Sequence, residues 1–72
     1  MKPKLLASSN SLTSIKELIT RYWYSMPGSI ELLEHSFGTY EIIQSNKTMH
    51  GYRVKHKGDR FRFEYLKDGG KS

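Results

Sequence analysis

The chain has 72 residues, no cysteine and a net charge of +5. That length makes one small domain with a modest core, and the lack of cysteine excludes disulfides and thiolate metal sites. No stretch reaches the ~20 apolar residues of a membrane span, and the Leu5-Leu6-Ala7 patch is shorter than the ~7–15 apolar residues of a secretory leader, so the expected location is cytoplasmic.

The charge is unevenly placed. Residues 1–45 balance four Lys and Arg against four Glu, whereas residues 46–72 set eight Lys and Arg against three acids. The whole excess lies in the second stretch. Such asymmetry fits an anionic partner, or simply solubility.

Residues 1–10 read as a flexible lead-in, 11–66 as the folded part and 67–72 as a flexible tail. The first predicted element is a helix over 14–26. Ser14 and Glu17 form a capping-box pair, and Ile15, Leu18, Ile19, Tyr22 and Met26 make one apolar stripe. Pro27-Gly28 is the expected stop. Residues 29–36 suit a short second helical segment, with a strand nearly as good, because short apolar runs do not separate the two.

From Gly38 onward the pattern is β. Thr39–Gln44 is rich in aromatic and β-branched residues, and two alternating runs flank Lys57-Gly58. The expectation is an α+β fold: one N-terminal amphipathic helix, the short second segment, and a three-stranded antiparallel meander.

A two-residue turn at Lys57-Gly58 sets Lys55 opposite Arg60, Val54 opposite Phe61, Arg53 opposite Arg62 and Tyr52 opposite Phe63. The aromatic residues then face the helix, and Arg53, Lys55, Arg60 and Arg62 form an outward square of cations. Like charges opposite one another weaken strand pairing, so the square suits a surface that meets an anion. Glu41 and Glu64 would share that face and offset part of the repulsion.

A basic sheet face suits phosphate oxygens and the major groove of duplex DNA. The candidate nucleic-acid-binding residues are Arg53, Lys55, Lys57, Arg60, Arg62 and Lys67. Aromatics turned to the core favour duplex over single strands, which need stacking platforms. At the level of topology, three basic strands backed by one helix resemble in outline the amino-terminal DNA-binding domains of some phage-type integrases.

Catalysis has less support. His35, His50 and His56 have no metal-ligand spacing, and no Gly-rich phosphate loop or nucleophile elbow is present. No cofactor or metal is expected. A second reading is a protein-interaction or inhibitory module, docking an acidic partner on the square or a partner or second copy through Tyr22, Trp23, Tyr24 and Met26. A third is a toxin-like ribonuclease using His56, Arg62 and Tyr65, although alternation puts His56 and Tyr65 on the side opposite Arg62.

Overall fold

The computed structural model describes residues 3–24 and 29–66. Strand β1 (Lys4–Ser9) leads into helix α1 (Leu12–Tyr22), followed by β2 (Ile30–Ser36), β3 (Thr39–Gln44), the two-residue β4 (Lys47–Thr48), β5 (Tyr52–Lys57) and β6 (Arg60–Tyr65). One sheet results, in the order β1-β6-β5-β3-β2, with β4 added to β3. Each paired strand runs antiparallel to its neighbour. Helix α1 connects the two opposite edges of the sheet and covers one face. The α+β class stands, with six strands among the described residues rather than three.

Helix α1 begins earlier than the capping-box reading placed it. The cap is Ser11, whose Oγ accepts from the Ser14 amide at 3.1 Å. The reason lies in packing: Leu12 joins the stripe against the core, beside the fully buried Ile15 and Ile19. The helix closes at Tyr22, where the Trp23 amide still donates to the Ile19 carbonyl at 3.1 Å. The expected stop at Met26, Pro27 and Gly28 lies outside the described residues.

Two segments differ from expectation. Lys4–Ser9, assigned to the lead-in, forms an edge strand on β6. Its register shifts between Leu5 and Ala7, and Leu6 and Ala7 both pack against the core. That bulge removes the period-two alternation by which a strand is recognised. Ile30–Ser36 is a strand and not a short helix. Ile30 and Leu32 pair with Gln44 and Ile42 on the inner face, while Phe37, which a helix would have turned inward, is 98% exposed.

The outline drawn from three strands and one helix therefore does not carry over to this sheet. Its core is Ile15 and Ile19 from the helix against Ile30, Ile42, Val54 and Phe63 from the strands. Strands β3 and β5 pair only through Thr39–Lys55 and Tyr40–Val54, and the far half of β3 pairs with β4 instead. Ser45 and Asn46 both have positive φ, 54° and 66°, as the tight turn between β3 and β4 requires.

Candidate nucleic-acid interface

The β5–β6 hairpin turns at Gly58-Asp59, not Lys57-Gly58. Lys57 pairs with Arg60, Lys55 with Arg62, Val54 with Phe63 and Arg53 with Glu64. Of the two turn residues only Gly58 has positive φ, 63°, the pattern of a tight hairpin that needs glycine first. The pairing moves by two residues from the expected one. A shift of two preserves faces, so Tyr52, Val54, Phe61, Phe63 and Tyr65 stay on the helix side. Arg53, Lys55, Lys57, Arg60 and Arg62 stay on the outer side.

The shift changes what opposes what. Arg53 faces Glu64 rather than Arg62, and the expected square becomes a bridged cluster. Glu64 is buried, with a side chain 7% exposed, and accepts from the Nε atoms of both Arg53 and Arg62 at 2.9 Å. Burial alone would push its carboxyl up. The hydrogen bonds from Arg62 and Arg53, together with their charges, outweigh that and hold it below the usual carboxylate value.

Each guanidinium is thus fixed through Nε, and neither makes another hydrogen bond among the described residues. Their terminal nitrogens are the donors left for a ligand, on side chains 32% and 39% exposed. An arginine held this way presents its fork with less rotamer freedom left to lose.

Two further cations are tied at the rim. Lys55 Nζ donates to Thr39 Oγ1 and Arg60 Nε to Ser8 Oγ, both at 3.2 Å. Ser8 and Thr39 are the supporting residues that sequence reading missed. Ser8 lies on the strand that had passed for a lead-in, so nothing in the pattern brought it near Arg60. Lys57 is exposed at the hairpin end beside Arg60, and Lys67 lies outside the described residues.

The outer faces of β5 and β6 therefore set five cations around the one carboxylate of Glu64, four net positive charges. Strands β2 and β3 continue the same face with Glu31, Leu33, Glu41 and Ile43. No Phe, Tyr or Trp of the described strands lies on it. The surface offers phosphate ligands and hydrogen-bond donors but no stacking platform.

The remaining candidates lie elsewhere. His56 stacks on Phe61 with centroids 4.2 Å apart, on the helix side with Tyr65 and away from Arg62. Among the described residues no group of His, Asp and Glu is placed to hold a metal ion. Tyr22, Trp23, Tyr52 and Phe63 form a ring cluster at the end of the helix. Burial there raises the Tyr52 hydroxyl pKa, and the neighbouring Tyr22 and Tyr65 hydroxyls add to it. Tyr22 is 48% exposed and Tyr24 85%, and Met26 lies outside the described residues. No described helix is long and apolar enough to cross a membrane.

No protein-family model, curated protein or solved structure matches the chain.

Proposed function

We propose that the chain binds nucleic acid, duplex DNA first among its forms, through the outer face of β5 and β6, and that it does so without catalysis. The observation that carries this reading is the Glu64 bridge: one buried carboxylate holds two arginine forks side by side on a face with four net positive charges. Arg53 and Arg62 are the central contacts, and Lys55, Lys57 and Arg60 follow the phosphate backbone. Lys67 extends the same set in sequence. The absence of aromatic residues from the described part of this face favours a duplex over single strands.

The test is fluorescence anisotropy of a labelled random duplex. Four neutralised phosphates give a log–log salt slope near −3.6, or roughly a hundredfold weakening between about 50 and about 200 mM salt. The variant for this test is Lys55→Gln/Lys57→Gln/Arg60→Gln, because it leaves the Glu64 bridge intact. It should flatten the slope by about 2.7. Absence of binding at the lower salt would sink the proposal.

A second reading draws on the exposure of Tyr22 and Tyr24, which suits a protein-interaction or inhibitory module with an apolar partner. Capture of a protein that is lost in Tyr22→Ala/Tyr24→Ala, with DNA binding absent, would favour it.

A further inference from the structure

We propose that two copies of this chain pair through their β2 edges, antiparallel, with Leu33 of each copy opposite Leu33 of the other. The inference is independent of nucleic-acid binding. It starts from the contrast between the two edges of the sheet. The β1 edge carries the devices that block strand addition: Pro3 just before it, Lys4 at its start and a bulge at Leu5–Ala7. The β2 edge has its own irregularity only near its end, between Glu34 and Ser36, and carries none of these devices over its first five residues. Ile30–Glu34 pairs regularly with β3, contains no Lys or Pro, and has no described strand on its other side.

Hydrogen-bond phase fixes which residues such a pairing uses. The Ser45 amide donates to the Ser29 carbonyl, so residues 29, 31 and 33 turn their backbone groups towards β3. Ile30, Leu32 and Glu34 turn theirs outward. A second β2 strand must therefore match outward residues with outward residues, which leaves few registers. One of them opposes Glu31 to Glu31, and another opposes Glu31 to Leu33. The register centred on Leu33 places Leu32 and Glu34 in hydrogen-bonded pairs and opposes Glu31 to the partner's His35.

Two observations favour that register. Leu33, 55% exposed in the single chain, meets its own copy in a close, non-hydrogen-bonded pair. The partner's Glu31 becomes a second carboxylate beside His35, whose Nε2 already lies 3.8 Å from Glu41 Oε2. The arrangement is isologous, as a two-fold dimer must be. Its axis stands perpendicular to the sheet, so both basic faces look the same way.

The experiment is sedimentation velocity of the full chain across a concentration series, with circular dichroism to confirm folding of each variant. The expected result is a concentration-dependent dimer. Leu33→Lys should weaken it by about tenfold or more, since it sets two cations opposite each other in the edge pair. Glu31→Lys should also weaken it, and Glu31→Lys/His35→Glu should restore it by exchanging the two sides of the pair. A wild-type chain that stays monomeric up to about 1 mM overturns the proposal. So does a dimer indifferent to Leu33→Lys, or a double exchange no better than Glu31→Lys alone.

Discussion

The β2–β3 and β5–β6 hairpins share one plan and carry opposite surfaces. Both send alternating apolar residues inward, Ile30, Leu32 and Ile42 from the first, Val54, Phe61 and Phe63 from the second. Outward, the first presents Glu31, Leu33, Glu41 and Ile43, and the second presents five cations around Glu64. The inner faces are answers to the same packing problem, and their residue types follow from burial. The outer faces answer to no such constraint. The difference between them is therefore where function is to be sought, with an acidic and apolar half beside a basic one.

The two halves also differ in how their charges are held. On β2–β3 the His35–Glu41 pair is 3.8 Å apart between side chains 56% and 39% exposed. Such an exposed pair contributes little, about 0–1 kcal/mol. On β5–β6 a buried carboxylate depends on two arginines. Arg53→Ala/Arg62→Ala strips it of both and should cost about 3–5 kcal/mol in urea unfolding. Adding Glu64→Leu to that variant should recover most of the loss, because the uncompensated charge is gone. Glu41→Ala should shift stability by less than about 0.5 kcal/mol. A double arginine variant as stable as the wild type would mean that the bridge does not hold the hairpin. The expected loss of stability is why those two arginines are poor choices for a binding test by themselves.

A smaller effect distinguishes the turns of the two hairpins. Gly38 has φ 76°, and a methyl group there would lie 3.3 Å from the His56 carbonyl oxygen. Strand β5 comes this close because the His56 amide donates to the Gly38 carbonyl at 2.7 Å. Gly58 has φ 63° and open space around it. Gly58→Ala should cost about 1–2 kcal/mol from backbone conformation alone. Gly38→Ala should cost more than that, since the crowding against β5 is added. Equal losses for the two would show that β5 yields at that contact.

The sequence pattern revealed these hairpins unequally. Strands β3, β5 and β6 were legible because burial on one face enforces alternation, and the faces of Arg53, Lys55, Arg60 and Arg62 followed from parity. The exact partners did not follow. A turn at Lys57-Gly58 and one at Gly58-Asp59 both keep apolar residues opposite apolar residues, so only turn geometry separates them, and glycine at the first turn position decides it. Strand β1 was hidden by its bulge, and with it the Ser8–Arg60 contact. Strand β2 was ambiguous because Leu32 and Leu33 are adjacent apolar residues, one inside and one outside. The outward Leu33 is the feature that blurred the pattern, and it is also the residue on which the proposed pairing turns.

Acid should separate stability from surface charge on the β5–β6 half. Glu64 binds its proton more weakly in the folded chain than in the unfolded one, because the arginine hydrogen bonds outweigh its burial. Its contribution is therefore complete above the unfolded value of about 4.3 and is lost as the pH falls through the lower folded value. Unfolding free energy measured from neutral pH into that range should fall more steeply for the wild type than for Glu64→Gln. Parallel curves would mean that Glu64 is not held by the two arginines. Protonation also removes the one negative charge among five cations and releases two Nε donors. Just above the pH at which the hairpin fails, the basic face should grip phosphate more tightly, not less. Glu31, Glu41 and Asp59 lose charge in the same range, so duplex binding that strengthens more on acidification in the wild type than in Glu64→Gln would tie the Glu64 carboxylate to both roles.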